Sequence, residues 1–208
     1  MPGSVVPMAP EIIWFTPSNE YLADPDRMLG SINKTTAAYG MTAAYYGFHT
    51  EEQRTGVWVL AWQTLAHHQH FMEEEVYAEA MLPVMEAMVG AGHMTQALLH
   101  HRHDLMRALS SPVTQFIYIT VRPRHDRGYE LVPLIEKVRK ELKSVPGCFG
   151  SSWGPSVEKD DVQVGVIGWR CIQDCSNAVK GQLSSNVKLI RELGHVELKW
   201  ATMNRHEL

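Results

Sequence analysis

Val57-Trp58-Val59-Leu60-Ala61-Trp62 and Val164-Gly165-Val166-Ile167-Gly168-Trp169 decide the fold, because the second run repeats the first 107 positions later. Both are short apolar runs with β-branched and aromatic residues, and both end on tryptophan, so both are predicted strands. Working outward, Ile12-Ile13-Trp14-Phe15-Thr16 resembles Phe116-Ile117-Tyr118-Ile119-Thr120 at an offset of 104. Gly40 with the run to Tyr46-Gly47 resembles Gly147 with the run to Trp153-Gly154 at 107, and Gly92-His93 resembles Gly194-His195 at 102. Four blocks in one order at nearly one spacing point to an internal duplication, with small drifts left by loop insertions and deletions.

Each half then parses alike. Strands are expected at 11–16, 41–47, 56–63 and about 93–100, and again at 116–121, 148–153, 162–170 and 195–202. Helical spacing covers Asp26 to Tyr39 and about 67–89, then Gly128 to Lys143 and about 175–193. In the third of these helices Leu131, Ile135, Val138 and Leu142 form one apolar stripe. The order is βαββαβ, twice, which is the ferredoxin-like pattern of an α+β protein. Helices cover only one face of such an antiparallel sheet, so the two copies are expected to bury the other faces against each other. The expected repeats span 10–109 and 113–203, with Ser110-Ser111-Pro112 as the only punctuation between them.

Composition narrows the function. The 208 residues are 45% hydrophobic and carry 19 Lys+Arg against 23 Asp+Glu, for a net charge of −4. This predicts a packed globular chain and no nucleic-acid partner, since phosphate neutralisation needs a basic stripe. The longest apolar run, Val57 to Trp62, is far below the roughly 18 residues of a spanning helix, so no membrane segment is expected. Met1 to Pro10 lacks a positive segment followed by an apolar one, so no signal peptide is expected. Cys148, Cys171 and Cys175 match neither a disulfide framework nor a zinc spacing, which fits a reducing cytoplasm and buried thiols. Dinucleotide, Walker, nucleophile-elbow and EF-hand motifs are all missing.

The run from Trp62 through Gln63-Thr64-Leu65-Ala66-His67-His68-Gln69-His70-Phe71 resembles the strand, tryptophan, Ser/Thr, helix and His-x-x-Phe junction of the dimeric α/β-barrel superfamily, of the antibiotic-biosynthesis-monooxygenase type. The resemblance covers roughly residues 10 to 203. It implies two ferredoxin-like units joined into one pseudo-dimeric α/β barrel, here within a single chain, and therefore a monomer. The second half keeps Trp169, but Asp174, Cys175, Asn177 and Ala178 stand where the first has His67, His68, His70 and Phe71. The superfamily hosts cofactor-free quinone-forming monooxygenases, cyclases, isomerases, haem proteins and stress proteins, and fold does not choose among them.

Histidine is the unusual chemical resource of this chain, with 11 copies and two clusters, His67, His68, His70 and His100, His101, His103. Imidazole titrates near neutrality and can take a proton from a phenol, an enol or an alcohol. On a helix His67, His70 and Glu74 share a face, so the expected general base is His70, with His67 second. Trp62, Tyr46, Trp14 and His49 are the expected substrate-binding residues in an apolar pocket of the first half. No metal site is expected. His101 and His103 are read as the end of an extended strand, and the methionines of Met72 to Met106 as core filling, with an adaptable lining for an apolar ligand as the alternative. The expected function is tailoring of an apolar polyketide- or terpenoid-type small molecule by a cofactor-free monooxygenase or cyclase/isomerase. The alternatives are a haem-binding barrel protein and a non-enzymatic stress-responsive one.

Overall fold

A computed structural model describes residues 6–52 and 54–208. The start of the segment read for a signal peptide, residues 1–5, lies outside the described residues. The chain divides into two compact units, Met1–Leu98 with Met203–Leu208, and Leu99–Thr202.

The first unit holds β1 (Ala9–Phe15), α1 (Asn19–Ala23), a 3-10 turn (Arg27–Leu29), α2 (Lys34–Ala38), β2 (Met41–His49), β3 (Gly56–Trp62), α3 (Leu65–Glu73), α4 (Val76–Glu86) and β4 (His93–Gln96). Its strands lie in the order β4-β1-β3-β2, every pairing antiparallel. All residues of β1 and β3 are buried, which explains their continuous apolar runs.

The second unit begins with α5 (Arg102–Leu109), followed by β5 (Val113–Val121), a π-helical turn (Arg127–Leu131), α6 (Val132–Leu142), β6 (Cys148–Pro155), β7 (Val162–Trp169), α7 (Ile172–Lys180), α8 (Ser184–Leu193) and β8 (Gly194–His206). Its strand order is β8-β5-β7-β6. The pairings resolved between these strands are antiparallel. The two units have the same strand order, and an α+β architecture of antiparallel sheet and helices describes each.

Several elements differ from expectation for local reasons. The helix expected over Asp26 to Tyr39 is a 3-10 turn and a short α2, because Asn33 caps a new start by accepting from Thr35 N at 2.8 Å. The helix expected over 67–89 breaks at Glu74, whose extended backbone ends α3. The fourth strand stops at Gln96 rather than near His100.

His101 and His103 are not on an extended strand. His101 precedes α5 with a left-handed φ of 68°, and His103 lies within that helix. α5 packs on β6 and β7, and Thr114 Oγ1 donates to Ala108 O at 2.9 Å. It therefore counts with the second unit, where the sequence placed 100–109 in the first. The chain end is fixed within the first unit by His206, whose Nδ1 lies 2.7 Å from Asp26 Oδ1 and whose Nε2 lies 2.8 Å from Ile32 O.

Candidate functional site

In the first unit β1, β3, β4 and α3 bring four polar or amphipathic side chains together inside an apolar shell. Glu11 and Gln96 stand opposite each other in the β1–β4 register. Glu11 Oε2 accepts from Trp62 Nε1 at 3.0 Å and lies 3.4 Å from His68 Nε2. Gln96 Nε2 reaches both Ala9 O at 3.3 Å and His68 Nδ1 at 2.9 Å. Since Ala9 O can only accept, that Gln96 atom is the donor, so His68 Nδ1 accepts and its proton sits on Nε2, facing Glu11. The His68 ring stacks on Trp62 with centroids 4.8 Å apart. Burial raises the Tyr77 hydroxyl above its ordinary range, and the nearby Glu11 adds to this.

The residues expected from sequence occupy other roles. Thr64 caps α3 by accepting from His67 N, and its Oγ1 lies 2.7 Å from His67 Nδ1. The His67 ring packs on Gly40, whose φ is +99°; a Cβ there would stand 2.4 Å from His67 Cδ2, so the site requires glycine. His70 is exposed, its side chain 62% accessible and 3.5 Å from Glu74 Oε1.

His49 Nδ1 accepts from Glu51 N and Glu52 N and so holds the turn after β2, with the Trp14 ring 6.0 Å away. Tyr46 is half-buried; desolvation and then Asp26 and Asp24 push its hydroxyl pKa up. Of the six expected residues only Trp62 joins the buried cluster. Glu11, His68 and Gln96 were missed, although a lone carboxylate inside an apolar strand was a signal in the sequence.

The corresponding positions of the second unit carry different chemistry. Trp169 Nε1 donates to Gln115 Oε1 at 3.0 Å, and Cys175 Sγ donates to the same oxygen at 3.7 Å. Trp200 stands opposite Gln115 in the β5–β8 register, where the first unit has Gln96 opposite Glu11. Burial pushes the Cys175 thiol up to about 11.

An apolar cavity of about 230 Å³ lies between this sheet and α6, α7 and α8, its walls including Trp153, Trp169, Trp200, Ile117 and Ile167. It reaches the surface at Ile172 and Leu198, which are 40% and 41% exposed, beside Arg191. None of the six expected site residues lines it. The expected pocket was in the histidine-bearing half, and this hollow is in the other.

The hollow has a readable origin. Tyr46 pairs with Trp58 across β2–β3, and Trp153 pairs with Gly165 across β6–β7. Trp58 is fully buried and donates to Tyr21 Oη at 3.0 Å, so it fills the first unit. Gly165 has no side chain, and the Trp153 ring lies over it: a Cβ there would stand 2.2 Å from Trp153 Cζ3.

Among the described residues no group of three His, Cys, Asp or Glu side chains is placed to hold a metal ion. Nor is any helix long and apolar enough to cross a membrane.

No family model matches the sequence, and no curated protein matches it. Solved structures do share its fold. One described as a "putative monooxygenase" from Fusobacterium nucleatum subsp. nucleatum is 7% identical, with 98% of this chain and 96% of that chain covered and a TM-score of 0.73. A second with the same description, from Lactobacillus acidophilus, is 9% identical over 97% and 96% of the two chains, at 0.71. An anthrone oxidase-like protein is 12% identical over 96% and 93%, at 0.61. At these identities the likeness is one of fold alone.

Proposed function

We propose that the protein is an oxygenase-type enzyme that takes an apolar one- or two-ring substrate into the cavity of the second unit. The observation that carries this reading is the hollow itself, walled by three tryptophans and aliphatic side chains. Size sets the ring count: an apolar cavity of roughly 150 Å³ holds benzene, and this one measures about 230 Å³. The fold neighbours described as monooxygenases and as anthrone oxidase-like support oxygen chemistry on such a ring.

An electron-rich ring, once ionised at a hydroxyl, supplies its own electrons. With 1-naphthol the ring C–H opposite the oxygen becomes C=O: one substrate and one dioxygen give one 1,4-naphthoquinone and one water. The walls exclude water and hold the ring against the tryptophans. No histidine or carboxylate lines the cavity, and the Cys175 thiol is no base near neutrality. The substrate proton therefore leaves to solvent at the mouth, where the Arg191 cation favours the anion. His70 and His67 take no part in this scheme.

Haem fits poorly here. Of the wall residues only Cys175 belongs to a type that ligates haem iron, and burial holds it as the thiol. The matched registers of the two units support descent from one duplicated unit, and the proposed solution state is a cytoplasmic monomer.

The test is dioxygen uptake and quinone formation with 1-naphthol. Uptake retained in His70→Ala and lost in Val187→Phe, which fills the hollow, supports the reading. Binding of 1-naphthol without uptake makes the protein a binder rather than an oxygenase. Loss of uptake in His70→Ala returns the base to the first unit.

A further inference from the structure

β6 enters its pairing with β7 through a bulge. Cys148 pairs with Trp169 and Gly150 with Gly168, which leaves Phe149 over. The first unit has the same irregularity at Thr42, whose Oγ1 donates to Ala61 O at 2.9 Å. In the second unit the extra residue, Phe149, is 37% exposed, and a cleft of about 350 Å³ opens beside it between α5, α6 and β6. α5 lies directly on the bulge: a Cβ on Gly150 would stand 2.7 Å from Asp104 O and 3.3 Å from Arg107 Cβ. Of the cleft walls only Leu142 also belongs to the apolar cavity.

The walls gather positive charge. Arg107 from α5 and Arg139 and Lys143 from α6 line the cleft, with Asp104 as the opposing carboxylate. The Arg139 side chain is only 11% exposed, and its Nε and Nη2 donate to Glu136 Oε2 at 3.1 and 2.9 Å. Its Nη1 has no acceptor among the described residues, yet that atom is not sealed off from open space. A guanidinium held in place by one carboxylate thus keeps a donor edge for an acceptor from outside the chain. Lys143 follows four residues later on the same face of α6. Arg107 and Lys143 are exposed and enter no ion pair among the described residues. Burial holds the Cys148 thiol up at about 11, while the Gly150 N–H and then the Arg107 guanidinium draw it down and Asp104 pushes it up, so both α5 charges act on the cleft wall. With Glu136 counted, three cations meet two carboxylates, in a chain whose net charge is −4. A local positive excess of this kind draws an anion.

We propose that the cleft between α5, α6 and the β6 bulge binds a phosphate group, free or as a monoester, with Arg139 Nη1, Arg107 and Lys143 as its donors. A single arginine fork meets a carboxylate; cations converging from two helices suit the several oxygens and the double charge of phosphate. Phe149 at the rim offers a face to whatever the phosphate is attached to. This site is distinct from the apolar cavity, and its proposal does not depend on the reaction assigned there.

The experiment is calorimetric titration of the full chain with inorganic phosphate, phenyl phosphate and benzoate. The wild type is expected to bind a phosphate probe with a Kd of about 1 mM or tighter. Lys143→Glu and Arg139→Gln are each expected to weaken it about tenfold, the loss of one charge-assisted hydrogen bond. Asp104→Asn is expected to tighten it, a direction that a purely structural role for Asp104 would not give. The Lys143 and Asp104 variants keep the test decisive should Arg139→Gln fail to fold.

Tighter binding of phenyl phosphate than of inorganic phosphate supports a monoester as the ligand, and equal affinities support free phosphate. Absence of phosphate binding in the wild type, or no effect of Lys143→Glu or Asp104→Asn, overturns the proposal. Benzoate binding as tightly as phenyl phosphate overturns the choice of phosphate. Phenyl phosphate is also titrated into Val187→Phe, where binding should persist; its loss there would put the ring in the apolar cavity and overturn the assignment to this cleft.

Discussion

The two units solve one packing problem in opposite ways. The first fills the space under its helices with Trp58, Tyr21, Phe15 and Phe71 and then has to satisfy a buried carboxylate with Trp62 and His68. The second replaces tryptophan by Gly165, carboxylate by Gln115 and imidazole by Cys175, and keeps a hollow. The same strand order thus supports a solid, polar-centred core and an open, neutral one. Where a hollow is left is decided by side-chain volume at a few registers rather than by topology.

The largest effect that would sharpen this contrast comes from Glu11. Glu11→Ala leaves the Trp62 N–H and His68 Nε2–H facing nothing, so unfolding by denaturant should show a loss of about 3 kcal/mol. Glu11→Gln copies the second unit's own solution and should cost less than half as much. Equal costs for the two variants would mean that charge, not the acceptor, holds the cluster.

Gly165→Val is the next test. Its added carbons meet the Trp153 ring, and overpacking of this kind costs about 1–3 kcal/mol. The variant should also lose 1-naphthol binding. A fully stable variant that still binds would show that Gly165 does not make the hollow.

The exchange of His68 for Cys175 gives the second unit a pH signature. Burial lifts both Cys175 and Cys148 from 9.0 to about 11. Between those values the unfolded chain has lost thiol protons that the folded chain keeps, so stability falls as pH rises through that window and is fully present below it. The loss should be at most about 3 kcal/mol per thiol. Comparing denaturation midpoints on both sides of the window in wild type and Cys175→Ala isolates the Cys175 share, since buried Tyr21, whose hydroxyl burial also raises, changes in the same direction in both.

The smallest effect belongs to His70. Exposed beside Glu74, it should change stability by no more than about 0.5 kcal/mol on replacement by alanine.

Much of the framework was legible from the strand blocks. The offset of 107 that links Trp62 to Trp169 also links Tyr46 to Trp153 and Trp58 to Gly165, so two of the expected binding positions have counterparts on the cavity wall. What could not be read was which half had kept the space, because that depends on how Trp58 and Tyr21 fill volume in three dimensions. The histidines misled for a related reason. Composition makes His67, His68 and His70 equivalent, and only the phase of α3 against the sheet turns His68 inward while leaving His70 in water. The helix break at Glu74 was hidden for want of glycine or proline punctuation there, whereas Gly30 and Asn33 did carry a stop and a start ahead of α2.

Gln96 closes the account of the first unit. Its amide is tethered at Ala9 O and gives a hydrogen to His68 Nδ1. The imidazole is thereby gripped at both ring nitrogens, by Gln96 on one side and Glu11 on the other, so two strands of the sheet fix its plane like the jaws of a clamp.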